Sequence, residues 1–151
     1  MSRWAPTLLW MAIIWMLSAR GQSGEDSGYL LAGLLAWLGH PEAADPYARL
    51  VVHAVARKLA HFGAFAVLAL LAVRATGGGR PLHAWGLAVA WAILDEWHQS
   101  FVPGRSGNAR DVMIDAAGAT WAMWGRWIHV RLSRPPGRPA GPHPARDAGP
   151  S

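Results

Sequence analysis

The chain has 151 residues, enough for one ordinary domain, yet only 15% are charged, where a soluble domain carries about 25%. A hydrophobic content of 52%, ten Trp and a formal net charge of +5 exclude a chain that is disordered over most of its length. The lack of cysteine excludes a disulfide framework, a thiolate zinc site, a thiol nucleophile and an iron–sulfur cluster.

In chain order, the first predicted element is the apolar run Trp4 to Ala19. Arg3 ahead of it and Leu17-Ser18-Ala19 behind it have the outline of a signal peptide. Three tryptophans and the missing small residue at Leu17 favour a retained first span instead. A polar Gly/Ser loop, Gly21 to Ser27, follows. Tyr29 to Leu38 is then apolar but too short to cross a bilayer, and reads as an interfacial or re-entrant helix. Asp45-Pro46 is a helix start, cap followed by first-turn proline, and that helix can run through Lys58 into the second apolar run, Leu59 to Val73.

Thr76 to Arg80 is a Gly-rich hairpin turn into the third run, Pro81 to Leu94, and Phe101-Val102-Pro103-Gly104 has the order of a type II turn. Asn108 to Asp111 supplies an N-cap and an acid at N3 for the fourth run, Val112 to Gly125. Beyond it the Pro/Gly/Arg-rich stretch cannot build a core, so residues 1–130 are read as a transmembrane domain and 131–151 as a disordered tail.

Each of the four runs spans 14 to 16 residues, short of the roughly 20 that cross a bilayer core. Any one of them could be a buried helix of a soluble bundle. None has a continuous polar face, however, and Ala, Leu and Trp fill all sides. The expectation is an all-α membrane protein with four transmembrane helices plus the short interfacial or re-entrant helix. Trp4, Trp85, Trp97, Trp121, Trp124 and Trp127 fall near the ends, where aromatic belts form, whereas Trp10, Trp15 and Trp91 should pack. Ala60 and Ala64, and Ala116, Ala117, Gly118, Ala119 and Ala122, would let helices approach closely.

Four spans put both termini on one side. There lie Arg3, Arg74, Arg80, Arg126, Arg131, Arg134, Arg138 and Arg146, against Arg20, Arg49, Arg57, Lys58, Arg105 and Arg110 on the other. The bias places both termini in the cytoplasm. The Arg-rich balance suggests nucleic acid, but the basic residues form no stripe along a soluble helix, so no nucleic-acid partner is expected.

The outer side gathers the polar residues. Lys58 and His61 share a helix face at the start of the second span; Asp95, Glu96 and Gln99 end the third; Arg105 follows the turn; Asp111 and Asp115 are four apart on the fourth. An alternating topology brings them all to one end of three helices. Carboxylates there are costly unless paired or hydrated. Asp95 and Glu96, being adjacent, point about 100° apart, so at most one faces any one site. Lys58 and Arg105 suit a phosphate or carboxylate, and the bland alternative is that they neutralise the four acids within a structural network. An oxygen-rich metal site from His61, Asp95, Glu96 and Asp111 matches no standard spacing, and no P-loop, H-E-x-x-H, G-x-S-x-G or dinucleotide fingerprint is present, so neither metal nor cofactor is expected. His98 is read as interfacial.

The order K-x-x-H-F (Lys58, His61, Phe62), D-E-x-x-Q-x-F-x-P-G-R (Asp95, Glu96, Gln99, Phe101, Pro103, Gly104, Arg105) and D-x-x-x-D-x-x-G (Asp111, Asp115, Gly118) resembles the VanZ-like family of small bacterial membrane proteins. The resemblance covers roughly Met1 to Val130 and departs at Asp115, where the family more often has Asn. It implies a four-span protein of the bacterial plasma membrane, whose namesake is associated with low-level teicoplanin resistance, and it implies no settled activity.

The resulting expectation is an external polar pocket that recognises an anionic envelope molecule, a lipid headgroup or a peptidoglycan precursor, with Lys58, Gln99, Arg105, Asp111 and Asp115 as ligand-binding residues. The alternatives are a membrane-embedded enzyme acting on a lipid-linked phosphate or ester, with Asp95 or Glu96 as base and His61 assisting, and a small flippase or transporter.

Overall fold

The computed structural model describes residues 2–19, 33–40, 45–103 and 107–133, and among them every regular element is helical. Four long helices, α1 (Ala5–Ser18), α3 (Pro46–Ala75), α4 (Pro81–Gln99) and α5 (Ala109–Leu132), run alternately up and down. A short helical segment, α2, covers residues 33–37, where the interfacial helix is expected. The region from Gly21 to Ser27, Arg105 and almost all of the expected tail lie outside the described residues, as does part of the Phe101 to Gly104 turn. The tail's first two residues, Arg131 and Leu132, are still helical, so α5 runs two residues past the expected boundary.

Local chemistry sets the helix ends. Asp45 adopts extended backbone and its carboxylate accepts from the amides of Tyr47 and Ala48, at 2.9 and 3.1 Å, with Pro46 in the first turn. As read from the sequence, α3 then continues without a break through Lys58 to Ala75, ~45 Å at 1.5 Å per residue. It stops at a turn where Gly77 and Gly78 take φ of +70° and +81°, conformations that side chains rarely adopt. Asn108 caps α5, its side chain accepting from the Arg110 amide.

Small residues decide the packing. α3 and α5 form the most extensive pairing, and at their crossing Gly118 lies directly on the backbone of Phe62, so that a Cβ at 118 would overlap the Phe62 carbonyl. Ala119 and Ala122 continue that face of α5, and Ala84, Ala88 and Ala92 form the buried stripe of α4. Ala64 packs against the core as expected, whereas Ala60 is exposed and makes no close approach. Trp10, Trp15 and Trp91 turn inward, and the Trp10 indole donates to the Ala64 carbonyl at 2.9 Å, tying α1 to α3.

Around an apolar core, carboxylates are buried while many large apolar side chains face outward. Of the five largest fully buried side chains three are polar, namely Thr7, Asp95 and Asp115, while Leu9 is 63% exposed, Ile93 55% and Met113 71%. A soluble fold buries such apolar side chains and leaves carboxylates in water. By length and composition, one described helix, α3, is long and apolar enough to cross a membrane. The other three fall short of the expectation for separate reasons: α1 is apolar but has 14 residues, and α4 and α5 have the length but carry Asp95, Glu96, Arg110, Asp111, Asp115 and Arg126.

Candidate functional site

Where α5 begins and α1 and α4 finish, beside the middle of α3, four helices contribute polar side chains to one cluster. Lys58 forms an ion pair with Asp111 across the α3–α5 seam, its side chain 41% exposed against 19% for Asp111. One turn deeper, His61 Nδ1 stands 3.4 Å from Asp115 Oδ1. This contact has ion-pair reach without hydrogen-bond alignment, and both Asp115 oxygens are buried with no hydrogen-bond partner among the described residues. A buried acceptor left in that state costs about 1–3 kcal/mol.

The two adjacent acids of α4 divide as their helical spacing demands. Asp95, fully buried, turns toward α1 and accepts from the Ser18 hydroxyl at 2.7 Å and from the Gln99 amide at 2.9 Å, with its second oxygen unpartnered among the described residues. Glu96 turns toward α5 and accepts from the Asn108 amide at 2.8 Å, placing a carboxylate at the positive end of that helix. The loop must pass close over the end of α4 to make this bond, and a Cβ at Gly107 would stand 2.5 Å from the Glu96 carbonyl oxygen.

Between these groups lies a cavity of about 10 Å³, the room of one water molecule, lined by Arg57, Lys58, His61, Glu96, Gln99, Asp111, Ile114 and Asp115. Two cations face three carboxylates there. Of the residues expected to converge, all but Asp95 and Arg105 line this cavity; Asp95 sits behind it against α1, and Arg105 lies outside the described residues.

A comparison with protein families supplies the relationship: the VanZ/LLP1 family model matches residues 4–129. The chain belongs to the VanZ/LLP1 family. Comparisons with curated proteins and with solved structures find no match. In this VanZ/LLP1 protein the family-like segments around Lys58, Asp95 and Asp111 all come to one end of the bundle, and Gly118 has a steric reason of its own in the contact with Phe62.

Two participants were not legible as such in the sequence of this VanZ/LLP1 chain. Ser18, which resembles part of a poor cleavage site, is buried and donates to Asp95. Its spacing from Thr7 and Ile14 puts all three on one face of α1, a signal that an apolar run otherwise hides. His98, read as interfacial, stacks on Trp15 with ring centroids 4.0 Å apart and has a buried Nδ1. Both contacts follow from α1 lying against α4, which periodicity within either helix cannot reveal.

Proposed function

We propose that this protein is a four-span protein of the bacterial plasma membrane with both termini cytoplasmic, whose outward-facing cluster binds a phosphate-bearing envelope molecule, a lipid headgroup or a lipid-linked cell-wall precursor. The observation that carries the membrane part is the burial of Asp95 and Asp115 together with many large apolar side chains on the outside. Lipid on the outside removes the cost of that exposed surface, and neighbouring helices make up for the short apolar length of α1.

For the binding part, the mixed charge of the cavity is the guide. Lys58 and Arg57 suit a phosphate, and Glu96, Asp111 and Asp115 suit the hydroxyls or amine that such headgroups also carry. The cavity has room for only one water, so binding requires Lys58 to leave Asp111, a partly exposed pair of little net strength. The ligand's anion then takes the place of the Asp111 carboxylate. Sequestering a cell-wall precursor in this way would alter glycopeptide susceptibility.

A second reading, a membrane-embedded enzyme acting on a lipid-linked phosphate or ester, draws on the contact of His61 with Asp115, an imidazole beside a carboxylate whose oxygens have no hydrogen-bond partner among the described residues.

Topology is tested first. In this cysteine-free chain, Phe101→Cys and Gly79→Cys should label with an impermeant thiol reagent from opposite sides of the membrane; labelling of both from the same side ends the four-span reading. Binding is tested by native mass spectrometry of the protein extracted from membranes. A co-purifying phosphate-bearing lipid that is lost in Lys58→Ala supports the binding reading. Turnover of that lipid, abolished by His61→Ala with retention intact, would support the enzyme instead.

A further inference from the structure

The opposite end of the bundle carries a larger and chemically simpler cavity. It opens between the start of α1, the end of α3 and the last turns of α5, with a volume of about 930 Å³. Arg3, Arg74 and Arg126 line it together with His129, and no described Asp or Glu does. The glycine turn after α3 makes room for them: Arg3 Nη1 would stand 3.4 Å from a Cβ at Gly77, and Arg126 Nη2 3.0 Å from one at Gly78. Arg126 is held there by a 3.1 Å hydrogen bond to the Gly78 carbonyl. This bond uses one of the five N–H donors of its guanidinium. Arg3 and Arg74 make no ion pair among the described residues.

Three like charges around one cavity repel each other, and an anion placed among them turns that repulsion into attraction. The guanidinium fork matches a phosphate in bidentate geometry. Leu70, Val73 and Trp121 continue the wall toward the middle of the bundle and supply an apolar surface below the charges. A phosphate at the mouth and hydrocarbon beneath it is the layout of an anionic phospholipid seated in its leaflet.

From this arrangement we propose a second site, on the side of the chain termini, that binds an anionic phospholipid through Arg3, Arg74 and Arg126 with its acyl chains along Leu70, Val73 and Trp121. The inference rests on the membrane reading above and is independent of what the opposite cluster binds.

The test is native mass spectrometry of the full chain in detergent micelles supplied with phosphatidylglycerol or with phosphatidylcholine. The wild type should retain phosphatidylglycerol about tenfold better than phosphatidylcholine, and Arg74→Ala with Arg126→Ala should lose roughly all of that preference. The paired control Arg80→Ala with Arg131→Ala removes the same charge from the same end, outside the cavity, and should keep it. Circular dichroism verifies that both double variants retain their helices. If the first pair does not fold, Arg74→Gln alone carries the test and should reduce the preference several-fold.

Equal loss in both pairs would mean that general positive charge, and not this cavity, selects the lipid, and would overturn the proposal. So would an unchanged preference in the cavity pair, or occupancy by inorganic phosphate that phosphatidylglycerol cannot displace. Failure of the membrane reading is visible separately, as release of the wild type from membranes by alkaline carbonate.

Discussion

At one end of the bundle Lys58 meets Asp111, His61 faces Asp115, Ser18 and Gln99 hold Asp95, and the space left among them fits one water. At the other end Arg3, Arg74 and Arg126 surround about 930 Å³ with no described carboxylate between them. Both ends are rich in charge, but the first spends its charges on neighbouring helices and the second leaves them facing open space. Charged residues therefore report different things in the two places. Where cation and acid are matched, the cluster is a piece of tertiary structure as well as a candidate site. Where one sign stands alone, a ligand or the solvent must complete it.

This contrast predicts that substitutions which remove a packing contact or a hydrogen-bond partner near the matched end cost stability and those at the open end do not. The largest effect belongs to the seam that joins them. Gly118→Ala should force α5 away from Phe62 and lower stability by about 3 kcal/mol in detergent unfolding. Gly63→Ala, where an added Cβ meets nothing within 4 Å, should not destabilise the protein at all. Equal behaviour of the two variants would remove the close approach as the organising contact.

Ser18→Ala should come next, at roughly 1.5–3 kcal/mol, because it withdraws a donor from a fully buried carboxylate. The same thermal or denaturant series measures it, and a neutral result would detach α1 from the cluster. Asp111→Ala should cost about 1 kcal/mol or less, since its partner Lys58 is 41% exposed and regains water. Smallest of all, Arg74→Gln should change stability by no more than about 0.5 kcal/mol in either direction, while altering lipid retention. A large loss of stability in Arg74→Gln would erase the distinction between the two ends.

Asp115→Asn sharpens the comparison from within the matched end. Both Asp115 oxygens are buried without a hydrogen-bond partner among the described residues, so removing the acid's charge should leave stability unchanged or raise it. Loss of stability in Asp115→Asn would mean that the charge itself, through His61, holds α3 to α5.

Much of the fold was legible along the chain because its determinants are local. Asp45-Pro46 and Asn108 act as helix starts through their own side chains and ring, and Gly77 and Gly78 end α3 because their backbone angles exclude most other residues. The convergence of Lys58, His61, Glu96, Gln99, Asp111 and Asp115 was legible as well, because alternation of four helices leaves those positions no other end to occupy. What a single helix cannot encode is which face its neighbour covers. Ser18 and His98 acquired their partners only when α1 came to lie against α4, and Ala60 lost its expected role because α3 turned a different face to α5.

The low charge fraction, the absence of cysteine, the helix ends and the family-like segments are properties of the amino-acid sequence alone. They determined an all-helical VanZ/LLP1 protein in which Asp95, Glu96, Asp111 and Asp115 come together. The tertiary structure decided which charges are matched. Pairing of Lys58 with Asp111 and isolation of Arg74 depend on distances between helices, and those distances are set by small side chains such as Gly118 at the crossing of α3 and α5, far along the chain from the charges they position.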